Sequence, residues 1–223
     1  MAKEKKEVVE FDRFKFHNID EAVELVKKMS NEKFDASVEV HVRLGIDPRK
    51  GDQQVRTAVS LPHGTGKTVK VCAFVSPDKE EACRKAGADI VGGEDLIAQI
   101  KATEKTDFQV AVAEPVMMRH LAQIAKILGT RGLMPSPKNE TVAPNPVKAI
   151  EELKKGKVSF KNDDTGNVHV NIGKVSFDNV KLKENFTAFI DMIKRVKPTG
   201  SKGVYIKHVA ISSSMGKGIK VSL

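Results

Sequence analysis

The two ends of the chain alternate polar and apolar residues, the pattern of strands with one buried face. Residues 37–46, SVEVHVRLGI, place Val38, Val40, Val42 and Leu44 at every second position. Helices are predicted over residues 19–29 and 180–196, and further strands in QQVRTAVSLP, KVSFKND, NVHVNIGK and GVYIKHVAISSS. Because alternation leaves one face in water, these segments predict an antiparallel α+β layer.

The middle of the chain instead shows short apolar runs that alternate with helical spacing. Strands are predicted over residues 69–75, 88–93 and 108–115, and helices over 79–88, 94–100, 116–128 and 146–155. Strand–helix alternation of this kind predicts a small parallel sheet with helices on its faces. We therefore predict one α+β domain from residues 1–67 and 160–223, and an α/β domain from 68–159 inserted through a pair of strands.

Charge is distributed unevenly between these two parts. The chain has a net charge of +9, which favours a polyanionic partner. Residues 68–159 carry a balance of only +2, whereas the flanking segments together carry +7. The last 23 residues hold Lys202, Lys207, Lys217 and Lys220 and no acid. A polyanion is therefore expected to bind the flanking segments.

Several classes of protein are disfavoured by the residues present. No apolar run approaches the roughly 20 residues of a membrane span, and the first 16 residues lack the apolar core of a secretory signal. Cys72 and Cys83 lie in apolar surroundings, as core residues in a reducing cytoplasm do. The histidines show no metal-ligand spacing, and no nucleophile–base pairing is visible. We predict a protein without catalytic residues, cofactor or metal.

The segment HGTGKT, residues 63–68, resembles part of a phosphate-binding loop. Such a loop needs a first glycine where this chain has Leu61, and a helix after its threonine. The following residues predict a strand, so we interpret the segment as a connection between strands. Asp163 and Asp164 likewise precede Gly166 in a predicted hairpin turn.

Three loops are candidates for contact with a polyanion. In SSSMGKG, residues 212–218, small hydroxyls, Met215 and Gly216 suit close approach to ribose hydroxyls and phosphates; a polar strand end is the alternative. In KFDASVE, residues 33–39, Phe34 is either a core anchor or a platform for a sugar. LGTRGLMPSPK, residues 128–138, is either a structural turn or a second polyanion contact.

Taken in order, several motifs resemble the L1 family of ribosomal proteins, the stalk proteins of the bacterial large subunit. The resemblance runs from about Asp20 to the end of the chain. Its motifs are GIDPRK, DQQVR, SLPHGTGK, AGADIVGGEDL, ILGTRGLMPSPK, NVHVNIGKVSF and SSSMG. It implies a discontinuous α+β domain, built from both termini, that binds the 23S rRNA stalk, and an inserted Rossmann-like domain.

The resemblance also implies which residues contact RNA. They are Lys33, Phe34, Ser37, Glu39, Ser213, Ser214, Met215 and Gly216, with Lys161 and His169 as weaker candidates. The family usually has Thr where Ser37 and Ser214 stand, and Gly-Pro where Gly216 and Lys217 stand. Ala125, Lys126, Thr130 and Ser136 depart from the family in the middle loop, and any contact there is left open.

The further partners implied are E-site tRNA, whose release when deacylated the stalk assists, and the leader of the protein's own mRNA, whose translation it represses. A monomer is expected when the protein is free, and a cytoplasmic, ribosomal location. An alternative is a free RNA-binding translational regulator that is not a stable part of the ribosome.

Overall fold

A computed structural model of the chain describes Asp12 and residues 14–222. The helices and strands of this part follow one another in a mixed α+β order. They are β1 (Phe16–His17), α1 (Ile19–Met29), β2 (Ser37–Leu44), β3 (Arg56–Ser60), β4 (Val71–Phe74), α2 (Pro77–Lys85), β5 (Ile90–Gly92), α3 (Glu94–Thr103), β6 (Val110–Ala113), α4 (Met118–Leu121), α5 (Ala125–Thr130), α6 (Pro146–Lys154), β7 (Lys157–Lys161), β8 (Asn167–Lys174), α7 (Asn179–Arg195), β9 (Ile206–Ser213) and β10 (Ile219–Val221).

The chain divides into two compact units. The first contains Met1–Gly66 and Phe160–Leu223, and the second contains Lys67–Ser159. Strands β3 and β7 pair in a two-stranded sheet. The mixed α+β character predicted from the sequence is confirmed.

The main sheet of the first unit has the order β1-β10-β9-β2-β8. Neighbouring strands are antiparallel except β1 and β10, a parallel pair that the sequence did not predict. The predicted period-two pattern of β2 is confirmed, because Val38, Val40, Val42 and Leu44 are all buried. Strands of two or three residues, like β1 and β10, are too short to show this pattern.

Helices α1 and α7 pack on the buried face of this sheet and on each other. Each presents an apolar stripe, which includes Val23 and Val26 on α1 and Leu182 and Phe189 on α7. The packing is close where α7 crosses β8, since a Cβ on Gly173 would lie 2.7 Å from Leu182 Cδ2. The opposite face of the sheet carries mainly polar side chains.

The second unit contains a three-stranded parallel sheet of order β5-β4-β6. Successive residues of its central strand β4 belong to different apolar clusters: Cys72 and Phe74 to one, Val71 and Ala73 to the other. Because both faces of β4 are buried, the strand shows the continuous apolar run predicted for a covered parallel sheet. Both cysteines are free and buried, as predicted, and burial raises the pKa of Cys72 to about 12.

The helix predicted over residues 116–128 is divided in the structure. Helix α4 ends at Leu121, a 3-10 turn covers Ala122–Ile124, and α5 begins at Ala125. A 3-10 turn places positions i and i+3 on the same side, so Leu121 and Ile124 remain fully buried. The prediction of a single helix over these residues was therefore wrong, although Leu121, Ile124 and Leu128 are all buried.

The HGTGKT segment lies between β3 and β4, and no helix follows it. The fully buried Asn185 of α7 holds this loop: its Oδ1 accepts from the His63 amide at 3.1 Å, and its Nδ2 donates to the Gly64 carbonyl at 2.9 Å. The same Nδ2 donates to the Ile172 carbonyl of β8 at 2.7 Å. The interpretation of the segment as a connection between strands is confirmed.

Candidate nucleic-acid interface

Two of the segments predicted to contact RNA meet at one end of the main sheet. Strand β2 begins at Ser37 and the antiparallel β9 ends at Ser213, with Val38 in register with Ser213. The Ser37 amide donates to Ser214 Oγ at 3.2 Å, and that hydroxyl lies 3.4 Å from the Ser37 carbonyl. KFDASVE and SSSMG, far apart in the sequence, therefore form one surface.

A four-residue turn follows β9 and presents Met215 to solvent. The Gly216 amide donates to the Ser213 carbonyl at 3.1 Å, which closes the turn. Met215 is 79% exposed, although it is a large apolar residue. A Cβ on Gly216 would collide with the hydroxyl of Ser213, so any other residue there would displace the hydroxyl that donates to Glu32.

Glu32 holds the same turn from the other side, and sequence reasoning missed it. Its Oε1 accepts from the Ser213 hydroxyl at 2.9 Å and from the Met215 amide at 3.3 Å. A hydrogen bond from the Ser30 hydroxyl is the main cause that holds the pKa of Glu32 below its usual range. The side chain of Ser213 is thus buried and used inside the protein, whereas Ser214 and Met215 are exposed.

The loop before β2 exposes Lys33 and Phe34 at this end of the sheet. Phe34 is 59% exposed, so the alternative that it anchors the core is wrong. The next residue, Asp35, fixes the loop against the end of β8, since its carboxylate accepts from the Ser176 amide at 3.1 Å and hydroxyl at 2.8 Å. Lys174 Nζ donates to the Asp35 carbonyl at 2.9 Å.

The uncovered face of the sheet continues from this end as rows of residues in register. One row joins Glu39, Ser212 and Asn171, and the next joins His41, Ala210 and His169. A third row joins Arg43, His208 and Asn167. Two of the predicted residues, Glu39 and His169, thus lie on this face, beside histidines and an arginine that the prediction did not include.

The middle row extends to the far edge of the sheet. Lys220 of β10 is in register with Ala210, and Phe16 of β1 with Lys220. Lys220 Nζ lies 5.2 Å from the centroid of the Phe14 ring and 5.6 Å from that of Phe16, the geometry of cation–π contacts. Exposed aromatic rings and a cation therefore border the histidines.

His41 and His169 contact each other across β2 and β8. Their Nδ1 atoms are 2.8 Å apart, and His41 Nε2 is 3.0 Å from the Ser212 hydroxyl. Burial, followed by the nearby His169, lowers the pKa of His41. Neither residue type nor spacing could predict this pair, because its members are 128 positions apart.

The hairpin between β7 and β8 lies next to this pair and is ordered by Asp163. The Asp163 carboxylate accepts from the amides of Thr165 at 2.9 Å and Asn167 at 2.6 Å. Burial raises the pKa of Asp163, but the hydrogen bonds from Asn167 and Thr165 outweigh it and hold the pKa below its usual range. The predicted turn is confirmed. Lys161 is exposed at the end of β7, where this hairpin begins.

The loop after α5 packs into its own unit. Leu133 and Met134 contact the apolar cluster of that unit, and the Leu133 amide donates to the Leu128 carbonyl at 2.8 Å. Arg131 and Lys138 are exposed. The structural-turn interpretation accounts for Leu133 and Met134. A polyanion contact by Arg131 and Lys138 stays a prediction.

Two kinds of feature are not found over Asp12 and residues 14–222. None of the helices described there is long and apolar enough to cross a membrane. The same residues contain no group of three or more His, Cys, Asp or Glu side chains placed to hold a metal ion.

Comparison with known proteins agrees with the resemblance noted in the sequence. Residues 26–217 match the model of the Ribosomal protein L1p/L10e family. Two similar proteins, from Kosmotoga olearia and Thermosipho africanus, are 51% and 50% identical over 210 residues, which cover 94% of this chain and 90% of theirs. One from Thermosipho melanesiensis is 48% identical over 211 residues, 95% of this chain and 91% of its own. All three are named large ribosomal subunit protein uL1. The chain therefore belongs to the ribosomal protein L1 family.

Proposed function

We propose that the first unit binds the stalk of 23S rRNA in the large ribosomal subunit through one continuous surface. This surface consists of the uncovered sheet face and the Ser213–Ser214–Met215–Gly216 turn at its end, and is called the RNA face below. The observation that carries the proposal is the exposed Met215 turn beside rows of polar side chains that include Arg43, His41 and His169. Met215 and Phe34 are both large apolar residues exposed at this end of the sheet, and an exposed apolar patch is typical of a contact surface.

The residues at the turn suit the recognition of folded RNA by its backbone. Ser214 offers a hydroxyl as donor and acceptor, and Gly216 allows a close approach of main chain to ribose. Met215 and Phe34 supply apolar surfaces on which a sugar or a base can lie. Arg43, His41 and Lys220 lie with Glu39 on the uncovered face of the sheet. Their nitrogen groups can bind phosphates that lie over the rows.

The wider role rests on the resemblance described above. We infer that residues 1–67 and 160–223 are an RNA-binding domain and that residues 68–159 are a Rossmann-like insert. On the ribosome the protein would form the mobile stalk beside the E site and assist release of deacylated tRNA. The same RNA face would bind the leader of its own mRNA and repress translation. It acts as a monomer when free, without catalysis or cofactor.

The direct test is a titration of the protein with a transcript of the rRNA stalk. The leader of its own mRNA and a random RNA of equal length serve as controls. We expect tight binding of the stalk, weaker binding of the leader, and weakest binding of the random RNA. Equal affinity for all three would contradict the proposal.

The salt dependence of the same titration tests the kind of contact. Each phosphate neutralised adds roughly 0.7–0.9 to the slope of log affinity against log salt. A surface that uses hydroxyls, a methionine and main-chain contacts should give a slope equivalent to only a few phosphates. Co-sedimentation with large subunits at high salt separates a ribosomal component from a free regulator.

A further inference from the structure

The His41–His169 pair constrains how many protons it can hold. A hydrogen bond between the two Nδ1 atoms, 2.8 Å apart, needs a proton on one atom and a lone pair on the other. One positive charge is compatible with the bond. The charged ring then donates from Nδ1, and the neutral ring carries its proton on Nε2 and accepts at Nδ1. A second charge places protons on both Nδ1 atoms and breaks the bond.

The outer nitrogens of the two rings face different groups. Asp163 Oδ2 lies 3.6 Å from His169 Nε2, whereas His41 Nε2 contacts only the neutral hydroxyl of Ser212. The other charged or titratable groups on the rows around the pair are Glu39 and Arg43 on β2, His208 on β9 and Lys220 on β10. Burial and His169 oppose a second proton on His41, and Glu39 offsets them only in part, so a further anion over the pair would favour that proton.

We infer that an RNA phosphate binds at the His41–His169 pair and that His41 takes up a proton when it does. This inference rests on the proposed function and adds a site and a proton to it. A phosphate over the row would accept the N–H that each ring presents once the Nδ1–Nδ1 bond opens. It would also offset the repulsion between the two imidazolium rings.

The direction of the pH dependence follows from this linkage. In the free protein burial and His169 lower the pKa of His41, so His41 is neutral near pH 7. A bound phosphate raises that pKa, so the complex holds more protons than the free protein and RNA affinity rises as the pH falls. One linked proton changes the affinity by at most about tenfold per pH unit.

The test is calorimetric titration of the full-length protein with the stalk transcript at pH 6.5–7. It is repeated in two buffers of different ionisation enthalpy, neither of them phosphate. The difference in heat counts the protons taken up. We expect an uptake approaching about one proton for the wild type, and close to none for His41→Gln. The variant should also bind RNA more weakly and lose most of its pH dependence.

His120→Gln is the matched control, because His120 is a half-buried histidine like His41 but belongs to the second unit, where it lies 3.2 Å from Glu94. It should keep the wild-type proton uptake. Thermal melts check that His41→Gln is folded. Normal RNA binding without proton uptake, or equal uptake by His41→Gln and wild type, would overturn this inference and leave the proposed function standing. No binding of the transcript by folded wild type would overturn both.

Discussion

Glu32 and Met215, 183 positions apart in the sequence, are joined by a hydrogen bond of 3.3 Å from the Met215 amide to Glu32 Oε1. The same oxygen accepts from the Ser213 hydroxyl, two residues before Met215. An acidic residue therefore holds the turn whose tip we expect to contact RNA. Its carboxylate supports the RNA face from within and does not need to contact RNA itself.

Replacing Glu32 tests this supporting role. If electrostatics alone decided the affinity, removing a negative charge near an RNA site would strengthen RNA binding. We instead expect Glu32→Ala to weaken binding about 5–30-fold, because the hydrogen bonds that order the turn, worth about 1–2 kcal/mol, are lost. Glu24→Ala is the control, since Glu24 is exposed on α1 and pairs only loosely with Lys28 at 3.5 Å. Stronger binding by Glu32→Ala, measured by the stalk titration, would show that the turn is not held in this way.

Met215 should matter for binding and little for stability. Because its side chain is 79% exposed in the free protein, Met215→Asp should leave the melting temperature nearly unchanged. The new carboxylate would be desolvated against phosphate-rich RNA, and binding should be lost. Val180→Asp is a matched control, also an exposed apolar residue of the first unit. If Met215→Asp binds like wild type, the residue lies outside the interface.

Ser214 allows a finer test at the same turn. Ser214→Ala removes a hydroxyl that is expected to face RNA and adds no new group, at a cost of about 1–3 kcal/mol in binding free energy. It also removes the 3.2 Å contact from the Ser37 amide, so a melt must accompany the titration. A loss of stability that accounts for the whole loss of binding would return Ser214 to a purely structural role.

The first unit should bind RNA without the second. A chain that joins residues 1–67 to 160–223 through a short linker carries +7 of the net charge and the whole RNA face. We expect it to retain most of the affinity for the stalk transcript, and residues 68–159 alone to bind weakly or not at all. Affinity that follows residues 68–159 would contradict the assignment of the interface.

Asn185 should be important for folding and not for recognition. Its amide satisfies three backbone groups, on His63, Gly64 and Ile172, with no exposure to solvent. Asn185→Ala leaves them without partners, and we expect the free energy of unfolding to fall by about 3 kcal/mol in chemical denaturation. Asn179→Ala, an exposed position on the same helix, should change it little. A small effect of Asn185→Ala would mean that water replaces the amide.

Local patterns predicted much of the fold. The alternation in β2 identified its buried face, and the apolar run in β4 identified a strand covered on both sides. The break at Ala122–Ile124 was not predictable, because the apolar stripe fits a continuous helix equally well. The exposed Met215 turn was found from its residue types. Glu32 and the His41–His169 pair could not be found from the sequence. The role of Glu32 depends on its lying beside the end of β9, and the histidine pair depends on β2 lying beside β8.

Mapping the RNA face residue by residue tests the central claim most directly. Backbone amide signals of isotope-labelled protein are followed as the stalk rRNA fragment is added. We expect the largest changes over residues 33–41, 167–171 and 208–216, which form the uncovered sheet face and its end. Changes concentrated on residues 67–159, or on helices α1 and α7 behind the sheet, would contradict the account.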